Sequence, residues 1–418
     1  MPYETPARGA RMPAVVLGGA LNSLSVARSL WRCSVPVDLL ADGRGDSAAR
    51  HSRACRRFVP ADGSAPLAEQ WMDWLSTESA PAVVLPCSDE GIEFIARRRG
   101  ELEAAGHRPI EADDAASLSM LDKARAYDVA RRAGVQTPQT MTVTSLADLA
   151  DLDFAFPCAI KPLHSHVFAR RFSTAGKGRT VATREEASSI LAPILEEGHP
   201  MLLTEWIPGP DDRCCSYYTY IDEHGEPLLN FTKRKLRQHP VHFGLGTYHL
   251  TEWNAEVAAL GLDYARAAGL RGLVNVEFKR DARDGRLKLI ECNARFTEVN
   301  EQVRAAGIDL ALLAYNRLVG LALPPVDSFK DHVGIWFPVE DLRALREYRR
   351  DGELTTGAWL RTLAHRQTPL MFWTRDPMPS VVSWRKRGSA LLRRAGRPRG
   401  ASDGGTPAEE RDAYRAVR

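Results

Sequence analysis

The sequence predicts a protein of mixed α/β and α+β class: a doubly wound parallel domain at the N-terminus, a second α/β segment, then antiparallel hairpins. Three observations carry this. Over residues 12–112, short apolar runs alternate with helical periodicities, the mark of a parallel sheet covered by helices. The alternation returns over 140–205. From Cys214 onward, period-2 strands joined by tight turns take over.

The first ten residues lack either pattern. In AVVLGGALNSLSVARSLWR the apolar run Ala14–Leu17 meets a glycine turn, and Leu24, Ala27, Leu30 and Trp31 follow at helical spacing. A second strand is expected at 35–40, ending at Asp42. A helix over 66–77 leads to a third strand at 82–85, which runs into PCSDEG and a helix over 89–105. A helical link over 113–133 precedes GVQTPQT. The next segment reads as strand MTV, a helix near 145–151, strand FPCAIKP, a basic loop over 164–179, a helix over 184–197 and strand MLLTEWI. CSYYTYIDEHGEPLLNFTKRKL is a hairpin turning at 223–226. A helix over 254–268 follows, with Val257, Leu260, Tyr264 and Ala268 on one face. LVNVEFKRDARDGRLKLIECNARF is a second hairpin, turning at Asp284-Gly285. A helix over 309–321 ends in GLALPP. The expected domains are 12–112, 113–329 with a subdomain over about 140–205, a small module over 330–386, and a disordered tail over 387–418.

Composition narrows the function. The net charge is +3 on 56 basic and 53 acidic residues among 418, so the bulk is no general binder of nucleic acid. No apolar run approaches the ~18 residues of a spanning helix, and the N-terminus lacks the apolar core of a secretory signal. Seven cysteines, none in a CxxC pair, fit reduced thiols in a cytoplasmic protein. Charge is uneven, however: residues 385–400 hold seven Lys or Arg and no acid.

Chemistry concentrates in the second hairpin. Period-2 alternation puts Asn275 and Glu277 on one face, Glu291 and Asn293 on one face of the return strand, and Glu277 opposite or diagonal to Glu291. Opposed like charges call for a cation between them. Two carboxylates and an asparagine oxygen suit magnesium rather than zinc, and such a pair can bridge two ions that also hold phosphates. A solvated acidic hairpin face is the bland alternative. Lys161 in CAIKPL can reach phosphate oxygens, though an ordinary strand-end lysine also fits. The loop 164–179, with Arg170, Arg171, Gly176, Lys177, Gly178 and Arg179, can close over phosphates or be a mobile surface segment. In TEWIPGPDD a strand breaks at prolines, leaving backbone groups for a purine edge, Trp206 and Ile207 to frame the ring, and Asp212 for ribose hydroxyls.

In this order the elements resemble the ATP-grasp superfamily over roughly 113–323. The lysine before GVQTP, Lys123, resembles the first nucleotide-binding lysine, and Lys161 of AIKP the second. TEWIPGPDD resembles the adenine hinge and ribose acid of D-alanine–D-alanine ligase-like members, here Glu205 and Asp212. VNVEF and IECNARF resemble the metal-binding strands, which implies Glu277, Glu291 and Asn293 as magnesium ligands. The N-terminal α/β unit is similar to the preATP-grasp domain, and the whole looks closest to the carboxylate–amine ligase branch, which includes D-aspartate ligases. One departure is Asn275, where D-alanine-type ligases carry arginine. Lys233, Lys235 or Arg295 then becomes the cation for the transferred phosphoryl group.

The resemblance implies ATP-dependent amide formation through an acylphosphate, with ADP and phosphate released. It implies two magnesium ions (manganese can substitute) and small carboxylate and amine substrates; a homodimer is left open. Substrate would be met by Gly18, Gly19 and Asn22 at the first strand–helix turn, and by Ser88, Asp89 and Glu90 at the third; simple helix capping is the plainer reading of both turns. Two other classes stay open. LGGALNS with Asp42 is a partial dinucleotide fingerprint of an oxidoreductase, and a non-catalytic, membrane-tethered ATP-binding protein is the other. Phe372, Trp373 and Trp384 beside the basic run suggest weak contact with an anionic inner membrane face.

Overall fold

The N-terminal sheet is built around β1 (Ala14–Leu17), four apolar residues with no exposed surface. The computed structural model describes residues 11–19, 21–43, 48–172, 178–326 and 328–395. After β1 come α1 (Leu21–Arg32), β2 (Val37–Leu40), β3 (Arg57–Val59), α2 (Leu67–Thr77), β4 (Val83–Pro86), α3 (Asp89–Ala104) and β5 (Arg108–Pro109). The strands pair in parallel in the order β3-β2-β1-β4-β5, as expected of alternating strands and helices. The short strands β3 and β5 carried too few apolar residues to stand out in the sequence.

The expected helix over 113–133 is two helices, α4 (Asp114–Met120) and α5 (Lys123–Arg132), with Asp122 accepting from Arg125 N–H to cap the second. A four-stranded antiparallel sheet follows, formed by β6 (Thr140–Val143), β7 (Cys158–Pro162), β8 (Arg179–Val181) and β9 (Met201–Glu205) in the order β6-β9-β7-β8. Two helices interrupt its strands, α6 (Ser165–Arg171) and α7 (Arg184–Glu196). The loop expected over 164–179 is thus helical in its first half, because buried Phe168 anchors α6 to the apolar core of this sheet. Residues 173–177, with Gly176 and Lys177, lie outside the described residues.

The largest sheet begins with β10 (Cys214–Ile221), β11 (Phe231–His239) and β12 (Leu245–Thr251). After α8 (Ala255–Ala267) come β13 (Gly272–Arg280) and β14 (Leu287–Asn293). Then α9 (Asn300–Ala306) and α10 (Leu310–Val319) precede β15 (Val333–Trp336), α11 (Pro338–Arg350), α12 (Thr356–Thr362) and β16 (Arg366–Thr368). Seven strands pair in the order β14-β13-β10-β11-β12-β15-β16, antiparallel except for the last pair. The first expected hairpin is therefore part of a three-stranded run, since β12 adds to β11. The last described element is α13 (Met378–Ala395), so the tail expected to be disordered from 387 is helical through 395; 396–418 lie outside the described residues.

Two compact units emerge. One runs to Asp114 and takes in Arg295–Val326 and Leu370–Ser389; the other takes Ala115–Ala294 and Asp327–Pro369. Residues 330–386 are divided between them. No helix among the described residues is long and apolar enough to cross a membrane.

Candidate functional site

In the second unit, β13 and β14 set Glu277 directly opposite Glu291 and Asn275 opposite Asn293, with a register shift just after Glu277. Asn293 Nδ2 donates to Glu291 Oε1 at 3.0 Å, which leaves the asparagine carbonyl oxygen facing away from that bond. Asn275 is 1% exposed and its Nδ2 donates to Tyr217 O at 3.5 Å, so it belongs to the sheet interior. Tyr127 of α5 braces the acidic strand, its hydroxyl donating to Ile290 O at 2.8 Å.

Cations surround the acids. Lys235 Nζ on β11 lies 3.8 Å from Glu277 Oε2. Burial opposes its charge, but Glu277 and more distant acids outweigh burial and hold the ammonium above its ordinary value. Lys233, two residues earlier on the same face, is 2% exposed. For Lys233 burial outweighs the attraction of Glu277, and its pKa falls to about 8. Its Nζ lies 3.1 Å from His249 Nδ1. Lys161 on β7 is lowered as well, by burial first, with Glu291 opposing and Lys235 adding to the fall. Three lysines and two carboxylates thus form one coupled cluster fed by two sheets. Lys123 opens α5, and its Nζ donates to Ser165 Oγ of α6 at 2.5 Å.

The hinge after β9 is organised differently from the expectation. Glu205 is bound by protein cations: Arg283 Nη1 is 2.5 Å from Oε1, Lys288 Nζ is 3.7 Å from Oε2, and Gln139 N–H donates to Oε2 at 2.9 Å. Trp206 packs edge-on against His242, ring centroids 6.5 Å apart, with Lys279 Nζ 5.5 Å from its centroid. Ile207 is buried. Asp212 Oδ1 accepts no hydrogen bond from the described residues, and Arg234 is 4.0 Å from Oδ2.

In the first unit the two turns are occupied by their own fold. Gly18 and Gly19 have φ of +66° and +74°, and a Cβ on Gly18 would fall 2.2 Å from Ser88 Oγ. Gly19 N–H donates to Asp42 Oδ2 at 3.0 Å, so the acid of the partial dinucleotide fingerprint braces the glycine turn. Asn22 Nδ2 donates to the carbonyls of Cys87 and Phe296 at 2.9 and 3.3 Å. Ser88 caps α3 through Gly91 N–H at 3.1 Å, and Glu90 is buried. Arg295, grouped with Lys233 and Lys235 in the sequence reading, belongs to this unit, its Nε donating to Asp89 Oδ1 at 2.6 Å.

Opposed acids, a lysine cluster and a broken hinge strand can be compared with known proteins. No protein-family model matches the chain. A stretch of 246 residues is 26% identical to a D-aspartate ligase of Enterococcus faecium, covering 56% of this chain and 58% of that one. The chain thus spans little more than half the length of that relative. The crystal structure of an L-amino acid ligase from Bacillus licheniformis superposes with a TM-score of 0.58 at 15% identity, over 74% of this chain and 76% of the other. The biotin carboxylase domain of Hydrogenobacter thermophilus 2-oxoglutarate carboxylase, solved with MgADP and bicarbonate, gives 0.58 at 16% identity, over 78% and 74%.

The chain has the ATP-grasp fold.

The ATP-grasp reading of the sequence singled out the acids and lysines but not their supports. Tyr127 braces the strand of Glu291, and Arg283 and Lys288 hold Glu205, yet none of the three stood out; His249, which the sequence places by a glycine loop as a substrate-loop or surface residue, is buried instead. For His249 a signal existed: alternation along GTYHLT puts it on the face opposite to that of buried Tyr248 and Leu250. Arg283 and Lys288 sit in a turn whose charges read as solvated.

Proposed function

We propose that the chain is an ATP-dependent carboxylate–amine ligase that forms an amide through an acylphosphate, releasing ADP and phosphate. The observation that carries this is the Glu277–Glu291 register pair with Asn293 beside it and Lys161, Lys233 and Lys235 around it. Resemblance to a D-aspartate ligase supports a small carboxylate and an amine as substrates. The donor set fits magnesium: hard oxygen ligands, two of them charged, and no sulfur or imidazole among the three. Glu277, Glu291 and Asn293 would hold it, two ions in this reading, with manganese able to substitute. When bound, the metal neutralises phosphate charge and orients the γ-phosphoryl group.

The chain's own residues do the rest. Lys161 and Lys123 meet the phosphates of ATP. Lys233 and Lys235 offset charge that builds on the transferring phosphoryl group. Backbone after Glu205 meets the purine edge between Trp206 and Ile207, and Asp212 Oδ1 accepts from ribose. Glu205 acts at one remove, through its ties to Arg283, Lys288 and Gln139. Peripheral attachment to an anionic membrane is part of the same reading, supported by exposed Phe372, Met378, Val381 and Trp384 beside Arg385 and Lys386.

Glu291→Gln tests the site. It keeps the shape and removes the charge. With saturating ATP, magnesium, acid and amine, ADP formation is expected to fall by roughly 100-fold or more. A rate near that of the unaltered chain would take this pair out of the metal site.

A further inference from the structure

Among the buried titratable groups of the second unit, His249 has no part in the mechanism above, yet it touches the lysine on which that mechanism leans. His249 is 6% exposed and Lys233 2%. They reach each other diagonally across the β11–β12 pairing, in which Lys233 stands opposite Thr251 and Lys235 opposite His249. The Lys233 Nζ to His249 Nδ1 distance is 3.1 Å. An ammonium has three N–H donors and no acceptor. The hydrogen bond therefore runs from Lys233, and Nδ1 is its acceptor. The ring proton must then sit on Nε2. The ring's other side lies against Gly246, where a Cβ would fall 2.0 Å from Nε2 and 2.3 Å from Cε1. Gly246 thus gives the ring room that no other residue at that position would leave.

We propose that His249 is a positioning residue for Lys233, a neutral Nε2–H imidazole whose Nδ1 accepts a hydrogen bond from one ammonium N–H and so sets the direction of the other two. The proposal rests on the ligase reading for Lys233's task, but the geometry stands apart from it. A lysine side chain has four rotatable bonds and a compact charge, so without a fixed acceptor the ammonium samples several orientations. Across the sheet, Lys233 and Glu277 both pair with Ser216 of β10, from opposite sides. A freed Lys233 ammonium can turn toward Glu277, which would weaken its hold on the phosphoryl group. Burial and the charges of Lys233 and Lys235 keep the imidazole well below its usual pKa, so it remains an acceptor.

Four variants and one spectroscopic measurement test this. His249→Asn places an acceptor near Nδ1; His249→Gln places its amide near Nε2; His249→Leu has none; Gly246→Ala displaces the ring without removing a polar group. ADP formation is measured with ATP, magnesium, acid and amine. The Leu, Gln and Gly246→Ala variants are expected to lose kcat by roughly 10- to 100-fold with KM for ATP within about threefold, and Asn to stay within about threefold of the parent. Equal losses in Asn and Leu, or a parent-like kcat in Leu, overturn the proposal while leaving the ligase reading intact. Separately, ¹⁵N-histidine NMR of the full chain near pH 7 should show His249 neutral with the proton on Nε2, and Lys233→Met should shift Nδ1. A charged ring, an Nδ1–H tautomer or an unmoved Nδ1 overturns the proposal whether or not the chain turns over ATP. Absence of ADP formation by the parent with every acid and amine sinks the ligase reading instead.

Discussion

Arg28 lies inside the first unit at 2% exposure, and Asp376 beside it has none. Its Nε donates to Asp376 Oδ2 at 2.8 Å, and its other nitrogens donate to the carbonyls of Leu370, Met371 and Asp376 at 2.7, 3.2 and 2.9 Å. Ser52 Oγ and Arg53 N–H complete the carboxylate's partners at 2.6 and 2.9 Å. One side chain therefore anchors segment 370–376 to α1. Arg28→Met leaves Asp376 buried and short of its charge partner, and should cost about 3–5 kcal/mol in unfolding free energy. Adding Asp376→Leu should recover part of that loss, because a fully apolar replacement leaves no stranded charge. Urea denaturation of both variants checks this, and a single-variant loss below about 1 kcal/mol would contradict it.

The β11–β12 turn is an element whose shape depends on charge. His242 sits there at φ 75°, a left-handed conformation that costs a residue with a Cβ about 1 kcal/mol. It is held by Asp211, which accepts from His242 N–H at 2.9 Å. The ring lies between two acids: Nδ1 is 3.4 Å from Asp211 Oδ2 and Nε2 is 3.3 Å from Glu353 Oε1. Tyr348 also donates to Asp211, and His239 lies 3.6 Å from Glu347 at the same turn. Burial favours neutral His242, but the two carboxylates outweigh it and raise its pKa above 6.5. Burial would raise Asp211, but His242 and its other partners bring it down to about 2 from 3.8. The sign follows from linkage. The raised histidine stabilises the fold fully below pH 6.5 and loses that contribution as pH rises through its folded value. The depressed Asp211 contributes above pH 3.8 and loses it as pH falls toward 2. Thermal stability should therefore peak between about pH 4 and 6.5 and decline on the basic side. In His242→Asn, which tolerates the left-handed backbone, the decline between pH 6.5 and 9 should be shallower. An unchanged slope would assign it elsewhere.

At the scale of the molecule, the C-terminal aromatics divide by role. Trp373, one of three expected at a membrane, instead packs edge-on against Trp31 at 5.6 Å, with the Arg32 guanidinium 4.3 Å from its ring centroid. Phe372 and Trp384 remain outside at 56% and 63% exposure, joined by Met378 and Val381. On the membrane reading, the aromatics enter the interface, and each basic residue near anionic lipid adds about 1 kcal/mol. The full chain should float with anionic vesicles at low salt and release at high salt, since exposed charge is screened over about 8 Å at physiological ionic strength. Val381→Ser with Trp384→Ser, both on exposed positions, should weaken flotation without shifting the melting temperature. Retention of the parent chain in the soluble fraction at low salt would end the membrane reading.

Local pattern alone determined much of this protein. Period-2 alternation in VNVEF and LIECN brought Glu277 opposite Glu291, because strand geometry leaves side chains only two faces. The apolar run before a glycine turn placed β1, and apolar strands alternating with helical periods announced the parallel sheet. What lay beyond sequence was partnership over distance. Nothing near Arg295 says that it pairs with Asp89, 206 residues earlier. Nothing in LGGALNS says that Asp42 and Ser88 close around its glycines. Glu205 looked available until Arg283 and Lys288 came back to it from the far hairpin. Strands β15 and β16 looked like a module of their own, yet they extend the large sheet past β12. The reason is common to all four. A polar group's strand or turn is set by neighbours within a few residues, whereas its hydrogen-bond partner is whichever complementary group packing brings within about 3 Å. Only the tertiary structure decides which partner that is, and so which acids and cations remain to meet a ligand.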